Sequence, residues 1–386
     1  MPAEKILIYG GSFDPPHKGH LKLLQGAIDR INPDRVYLLP AYRSPFKELP
    51  LTSFRERARM IQLAVAEAFP ASLCTRIRIH PFEMLRECTT YTWQALRYFR
   101  KKHPEAVFFL LLGSDCLCGF RSWKRCGEIR SSCTLVVGKR PGTTLRRQQN
   151  CRFRFELLPG RFPAVSSSQL REQIYSDGKM PDSVPASVSR YIAFRGLYGT
   201  VMRAWLKKNL PPGRFRHTLS VTGLSQRLAA CHGADPGFAA VAALLHDAGR
   251  SLPDHRLAGY AGKRRLQVAR MAGIIKNQPG LLHSHVSADI ARRIFGVKSP
   301  AILSAIRLHT LGSGKMSLLD KIIYVADIAA EDRKFKGALK IRNAAFSDLD
   351  KAVLMAAQAK LNWVLATEKW IHPSGVELWN TLNQRY

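Results

Sequence analysis

The pattern of apolar residues changes once along this chain, and that change limits the folds open to it. Up to about residue 199, short and nearly unbroken apolar runs alternate with stretches of helical period. Ile6–Tyr9, Val36–Pro40, Ile77–His80, Val107–Leu112 and Leu135–Val137 read as strands. Runs of this kind suit a parallel sheet covered on both faces. Helices are expected at about 18–30, 53–68, 91–102, 168–177 and 186–195, the second opened by a capping box of Ser53 and Glu56. The alternation predicts an α/β doubly wound parallel sheet. From Thr200 onward strand-like runs cease. His217, Val221, Leu224 and Leu228 fall on one helical face; Asp235-Pro236 opens another helix with a cap and an N1 proline; Ser317 with Asp320 opens a third, ending near Ala330. We therefore expect an α/β domain over 1–199, an all-α domain over 200–386, and a seam at Arg195-Gly196-Leu197-Tyr198-Gly199.

Composition narrows the class. The 386 residues are 46% hydrophobic and 23% charged, enough apolar material for two packed cores, which excludes a disordered, collagenous or coiled-coil chain. Lys+Arg number 60 against 28 Asp+Glu, a formal charge of +32 shared evenly by the two parts. Such a field attracts polyanions: nucleotides, nucleic acid or acidic lipid. A general bias of surface composition would read the same way. No run approaches the roughly 18 consecutive apolar residues of a membrane span, and the start, MPAEKILIYGG, lacks a cleavable signal pattern. The 8 cysteines include no Cys-x-x-Cys, so reduced thiols in a cytoplasmic protein are expected, and no cysteine zinc site.

After the first strand comes Gly10-Gly11-Ser12-Phe13-Asp14-Pro15-Pro16-His17-Lys18-Gly19-His20. Glycines let the backbone turn sharply beside a ligand. A helix beginning near Lys18 points its free N–H groups at the loop. His17 and His20, three residues apart, share one helical face. Together they form a cradle for phosphate oxygens. A second phosphate signal is Val165-Ser166-Ser167-Ser168-Gln169-Leu170-Arg171, where serines cap a helix and Arg171 falls in its first turn. A cation there opposes the helix dipole, and a bound anion would reverse the sign.

These stretches resemble the nucleotidyltransferase signatures GG(S/T)FDPxHxGH and SSTxIR. With Thr90-Tyr91-Thr92-Trp93-Gln94-Ala95-Leu96, Leu112-Gly113-Ser114-Asp115, Trp123 and Gly138-Lys139-Arg140-Pro141-Gly142, the first half resembles bacterial nicotinate-nucleotide adenylyltransferase over nearly all of 1–199. The resemblance implies a Rossmann-like sheet and in-line transfer of AMP from ATP to nicotinate mononucleotide, releasing pyrophosphate. It implies that His17 and His20 hold phosphate oxygens, and that Arg171 and Lys47 hold the β- and γ-phosphates. Gly10, Gly11, Ser12, Phe13, Gly113, Asp115, Ser167 and Ser168 would line the nucleotide site. Thr90, Tyr91, Thr92 and Trp123 would meet the nicotinate nucleotide, and Mg²⁺ would shield the leaving group. Ser44-Pro45-Phe46-Lys47 stands where the family often has Pro-Pro-His-Lys, which removes one imidazole. Ser168 replaces a usual Thr and keeps the hydroxyl.

In the second half, His246-Asp247 lies near the end of an apolar helix, with His217, His283, His309 and Asp327 on other helices. Imidazoles and carboxylates without cysteine suit a divalent first-row ion, iron or manganese at least as well as zinc. Asp327, in an otherwise hydrophobic helix, needs a cation or donors. The set resembles the HD metal-dependent phosphohydrolases and, more closely, the YqeK family of symmetrical diadenosine tetraphosphate hydrolases. The matching stretches are Arg214–Leu219, Ala242–Asp247, Leu282-His283, Arg307–Thr310 and Asp320–Asp327, with Ile371-His372-Pro373 near the end. The resemblance implies hydrolysis of Ap4A to two ADP at an iron-type centre. His217, His246, Asp247 and Asp327 would be ligands, and His283 and His309 would hold a second metal or a phosphate. Thr310 and Arg333 would be phosphate contacts. His285, two residues past His283, is an alternative ligand, and Arg250 stands where a Lys is common. Rival readings are an HD half that acts on another nucleotide or only regulates, and a nucleic-acid-binding protein. The dispersed basic residues and the lack of a binding motif oppose the last. Metal identity, the choice between nicotinate and nicotinamide nucleotide, and whether the chain forms a homo-oligomer stay open.

Overall fold

The computed structural model describes residues 2–42, 52–86, 90–141 and 155–384. The chain divides into two compact units, Met1–Arg171 with Met180–Arg195, and Glu172–Lys179 with Gly196–Tyr386.

The first unit is built on six parallel strands: β1 (Lys5–Gly11), β2 (Arg35–Pro40), β3 (Ile77–Ile79), β4 (Val107–Gly113), β5 (Thr134–Gly138) and β6 (Phe155–Leu158), in the order β3-β2-β1-β4-β5-β6. The period of two explains why the strand sequences look uniformly apolar. Leu7, Tyr9, Val36, Leu38, Leu111 and Val136 pack into the core on one face. Ile6, Ile8, Tyr37, Leu39, Leu110, Leu112, Leu135 and Val137 fill the core on the other. Lys18–Ile31 and Phe54–Ala68 pack into the first core and Thr92–Lys102 into the second; with Ser167–Asp177 and Ala186–Arg195 they match the five helical stretches expected from sequence. The short β6 was not expected.

The order of strands reverses between β1 and β4. Their ladder ends at Ile8 and Leu110, so Gly10–Gly11 and Leu111–Gly113 run on without pairing to each other. Ligands of such sheets bind in this opening, beyond the carboxyl ends of the strands. The predicted capping box at Ser53 is only half formed. Ser53 Oγ accepts the Glu56 amide, but the Glu56 carboxylate turns away to Tyr191 Oη at 2.5 Å and Arg195 Nη2 at 2.6 Å. Those tertiary donors outcompete the local amide.

The second unit is helical, with no strand among the described residues. Proline sits in the first turn of Pro212–His232, Pro236–Leu245, Pro300–Leu308 and Pro373–Asn383, where its missing N–H costs nothing. Asp235 caps its helix by accepting from Gly237 and Phe238. The capping box of Ser317 and Asp320 is complete and opens Leu318–Ala329. Pro236–Leu245 is buried nearly all round, and its alanines Ala239, Ala240, Ala242 and Ala243 let neighbouring helices approach. Among the described residues, Cys74, Cys126, Cys133 and Cys231 are free thiols, and no helix is long and apolar enough to cross a membrane.

Gly138 ends β5 where a Cβ would lie 2.1 Å from Leu23 Cδ1 and 3.0 Å from Phe162 Cδ2. Gly138→Ala should destabilise the first unit by about 1–3 kcal/mol through overpacking. A denaturation midpoint equal to wild type would contradict this.

Candidate functional site

Two clusters of the expected residues form, one in each unit. In the first, His17 is the N-cap of Lys18–Ile31 and forms a reciprocal box with His20. The His20 amide donates to His17 Nδ1 at 3.3 Å, and the His17 amide donates to His20 Nδ1 at 3.3 Å. The rings stack with centroids 3.7 Å apart. Since each Nδ1 accepts a hydrogen bond, a neutral ring must carry its proton on Nε2. Burial first, and then Arg140, push the His17 pKa down to about 3. Burial, His17 and Arg140 hold His20 well below its ordinary value. Both imidazoles are therefore neutral Nε2–H donors at neutral pH.

The serine segment closes on this loop. Ser167 Oγ donates to the Pro15 carbonyl at 2.9 Å, and Arg171 Nη1 donates to the Asp14 carbonyl at 2.6 Å. Arg171 Nη2 also lies 3.4 Å from Ser168 Oγ. Ser166 Oγ, rather than Ser167 or Ser168, accepts the Gln169 amide as the cap. Gly10 and Gly11 end β1, and Phe13, buried at φ 50°, edges against the His20 ring.

Two supports had no role assigned from the sequence: Arg57, which was not marked, and Arg140, which was quoted only within a matching stretch. Arg57, buried on the apolar face of Phe54–Ala68, donates to the Ser12 carbonyl at 2.8 Å and the Thr52 carbonyl at 3.2 Å. A charge in register with Met60, Ile61 and Ala64 was the available signal. Arg140 donates its amide to Ser114 Oγ at 2.9 Å and its guanidinium to Asp115 at 3.0 Å, beside Gly113 at the end of β4.

Thr90 is buried, Tyr91 caps Thr92–Lys102, and Trp123 packs on Phe120 with centroids 5.3 Å apart. The Lys124 ammonium lies 4.3 Å above the Tyr91 ring, which sets these two segments side by side. Lys47 lies outside the described residues.

The second cluster uses histidine in the opposite sense. His246, His283 and His309 each stand immediately after a helical segment ending in leucine: Leu245, Leu282 and Leu308. Each ring folds back on the segment before it, onto the carbonyl three residues earlier. Nδ1 meets the carbonyls of Ala243 at 2.6 Å, Gly280 at 2.7 Å and Ile306 at 2.7 Å. His217 Nδ1 meets Asp332 Oδ2 at 2.9 Å. A carbonyl or carboxylate only accepts, so Nδ1 carries a proton, and Nε2 is the nitrogen left to face a carboxylate or a cation; burial opposes a second proton on His246, but Asp247 raises its pKa.

These Nε2 atoms converge on two carboxylates. His246 Nε2 is 3.5 Å from Asp247 Oδ2, while His283 and His309 are 3.2 and 3.8 Å from Asp247 Oδ1. His217 Nε2 is 3.0 Å from Asp327 Oδ1. The Nε2 atoms of His283 and His309 are only 3.0 Å apart, each also facing the Thr310 hydroxyl. Lone pairs opposed at this distance repel unless a cation or a proton lies among them, which is the donor chemistry of a metal site. Two trios have ligand atoms within 4.8 Å of one another: His217, His246 and Asp247, and Asp247, His283 and His309. Asp247 serves both, one oxygen to each. Although burial opposes its charge, His246 and His283 hold Asp247 well below the usual carboxylate range. Burial keeps His309 strongly neutral.

Asp327 is in neither trio. Its Oδ1 accepts from Arg333 Nη2 at 2.9 Å, and its Oδ2 lies 3.6 Å from Lys360 Nζ. Arg333, expected as a phosphate contact, also reaches His217 Nε2 at 3.1 Å. Lys360, buried on Leu349–Ala366, donates to the His309 carbonyl at 2.7 Å, and burial lowers its pKa to about 8 against the pull of Asp327. Neither Lys360 nor Asp332 was marked in the sequence, where both look like surface charges. Asp247, His283, His309, Thr310, Asp327 and Arg333 line a cavity of about 860 Å³. His285 faces away from this chemistry: its Nδ1 meets Ser284 Oγ at 3.3 Å, and burial with Arg307 lowers its pKa to about 4.

A sheet in this order with a histidine cradle at its switch point, and a helical unit with imidazoles around shared carboxylates, define a nucleotidyltransferase joined to a metal-binding hydrolase-type domain. The cytidylyltransferase-like family model matches residues 8–173, and the HD domain model matches residues 214–332. A probable nicotinate-nucleotide adenylyltransferase of Geobacillus thermodenitrificans is 33% identical over 198 residues, covering 50% of this chain and 86% of the relative. A probable nicotinate-nucleotide adenylyltransferase/Ap4A hydrolase of Mycoplasma genitalium is 29% identical over 369 residues, 94% of this chain and 99% of that one. A solved chain from Clostridium acetobutylicum, described as a predicted HD superfamily hydrolase involved in NAD metabolism, is 32% identical with a TM-score of 0.46, covering 48% of this chain and 97% of that one. The chain belongs to the nicotinate-nucleotide adenylyltransferase family and carries an HD domain in its second part.

Two outcomes follow from the geometry. The pKa of His17 is depressed from 6.5 to about 3. Its contribution to stability should be complete above about pH 6.5 and be lost as pH falls toward 3. Denaturation of the first unit should show that slope, and His17→Gln should flatten it; an unchanged slope would contradict the account. At Gly249 a Cβ would lie 2.4 Å from the His283 carbonyl oxygen. Gly249→Ala should therefore cost about 1–3 kcal/mol and weaken Mn²⁺ binding measured by titration; wild-type affinity would refute the link.

Proposed function

We propose that the first unit transfers AMP from ATP to nicotinate mononucleotide, and that the second cleaves diadenosine tetraphosphate symmetrically into two ADP. The observation that carries the pair is the opposite hydrogen-bond partner of Nδ1 in the two sets of imidazoles, backbone amides in the first and carbonyls in the second. Rings with Nε2–H suit phosphate oxygens, and rings with an Nε2 lone pair suit a cation.

In the transferase reaction a phosphate oxygen of nicotinate mononucleotide attacks the α-phosphorus of ATP, the α–β anhydride breaks, and pyrophosphate leaves. No covalent link to the protein is needed, so catalysis is positioning and neutralisation of charge. His17 and His20 donate Nε2–H to phosphate oxygens, with His20 nearest the reacting phosphorus. Arg171 and Lys47 hold the β- and γ-phosphates, and Gly10, Gly11, Ser12 and Gly113 leave room for the nucleotide. Thr90, Tyr91, Thr92 and Trp123 receive the nicotinate nucleotide. Mg²⁺, when bound with ATP, shields the leaving charge.

In the second unit, His217, His246, Asp247 and Asp327 would hold an iron-type ion, with manganese as the alternative. His283 and His309, sharing Asp247, would hold a second ion or a phosphate. An ion there supplies a Lewis acid for hydrolysis at phosphorus. Thr310 and Arg333 bind phosphate oxygens, and Lys360 fixes the Asp327 carboxylate and the turn bearing His309.

A product panel on the intact chain tests both halves: ATP with each pyridine mononucleotide, and Ap4A with iron or manganese. Nicotinate adenine dinucleotide and ADP are the expected products. His20→Ala should lower the transferase kcat on the order of 10²–10³-fold and spare Ap4A cleavage, and His246→Ala should do the reverse. Absence of either product, or loss of both activities in both variants, would overturn the reading.

A further inference from the structure

The cavity lined by Asp247, His283, His309 and Asp327 extends well beyond these ligand-type side chains. At about 860 Å³ it lies toward the upper end of the roughly 300–1,000 Å³ spanned by ligand cavities. Part of its lining is cationic: Arg214 donates to Asp247 at 3.0 Å, and Arg250 and Lys334 stand on the same wall space. Much of the rest is apolar, and besides Tyr324 three aromatic rings from separate segments line it. Phe335 follows the helix Leu318–Ala329, Trp363 lies in the last turn of Leu349–Ala366, and Trp370 precedes Pro373–Asn383.

The exposure of these rings is the informative feature. Trp363 is 53% exposed and Phe335 42% exposed, although each lines a cavity. A large aromatic left open to water beside buried metal-type ligands marks a surface built for a partner. Trp370 is more enclosed, edged against His372 with centroids 5.3 Å apart. Lys369 lies 4.2 Å over the Trp363 ring, which restrains the indole plane and leaves a cation close to it. Inorganic polyphosphate would have no use for an aromatic wall. A nucleotide would, because every base has a π-face that stacks on an indole.

We propose that Trp363, with Phe335 and Trp370, forms a nucleobase subsite. It stacks one base of the substrate while the cationic lining and the His/Asp cluster take its phosphates. This deepens the hydrolase reading and rests on it for the identity of the scissile bond, but the subsite itself requires only nucleotide binding. It makes Trp363 a specificity-determining residue: the second unit selects nucleotides over base-free polyphosphates.

The test uses the full chain with Mn²⁺ and 8-azido-ADP as a photoaffinity probe, followed by peptide mapping. The proposal expects label on the segments containing Trp363, Trp370 or Phe335, removed by excess ADP and much reduced in Trp363→Ala. Label confined to the first unit, or labelling of these segments that ADP does not remove, would overturn it, whether or not the protein cleaves Ap4A. With Ap4A as substrate, Trp363→Ala should raise KM on the order of tenfold and change kcat less than about twofold, with Trp363→Phe restoring most of the loss. An unchanged KM would also overturn it. If the wild-type chain takes the label on these segments but releases no ADP from Ap4A, the subsite stands and the proposed reaction fails.

Discussion

The placement of one proton on each histidine ring organises both clusters. Imidazole is a donor at one nitrogen and an acceptor at the other, and the backbone decides which is which. At a helix start, the amides of His20 and His17 donate to Nδ1 of His17 and His20, which leaves the proton of a neutral ring on Nε2. After helical segments ending in leucine, backbone carbonyls accept from Nδ1 of His246, His283 and His309, which turns Nε2 toward the carboxylates. One residue type thus supplies anion donors in one unit and cation ligands in the other.

Charge is placed consistently with this. Around the helical cluster, buried and part-buried carboxylates alternate with part-exposed cations. Asp247 meets Arg214, and Asp327 meets Arg333 and Lys360. Single buried charges of this kind would be costly, and removal of one partner would leave the other uncompensated. The Lys360 ammonium also rests 3.8 Å over the Tyr324 ring, so one side chain ties a carboxylate, a helix end and an aromatic together. The +32 of the whole chain is thus partly structural here, and it favours phosphorylated ligands in both units.

Much of this was legible in the sequence because it depends on local periodicity. The change from period two to period 3.6 near residue 199 separated sheet from bundle, and five of the six strands stood out as apolar runs. β6 did not, since Phe155–Leu158 is a short edge strand with polar Glu156 and exposed Leu157. The histidines and aspartates were found one by one, but not their supports. Arg57, Arg140, Asp332 and Lys360 act through partners 5 to 115 residues away in sequence, and no spacing rule reports such pairs. Glu56 shows the same limit from the other side: its local cap motif was readable, yet distant Tyr191 and Arg195 take the carboxylate. A repeated signal was present and missed, the dipeptide Leu-His at 245–246, 282–283 and 308–309, each at a helix end.

The most direct measurement is the tautomer of each ring by nitrogen-detected NMR on the intact chain at neutral pH, with neither nucleotide nor metal added. The account predicts Nε2–H for His17 and His20, and Nδ1–H for His246, His283 and His309. The reverse assignment in either set, or a fully protonated pair at His17 and His20, would contradict it.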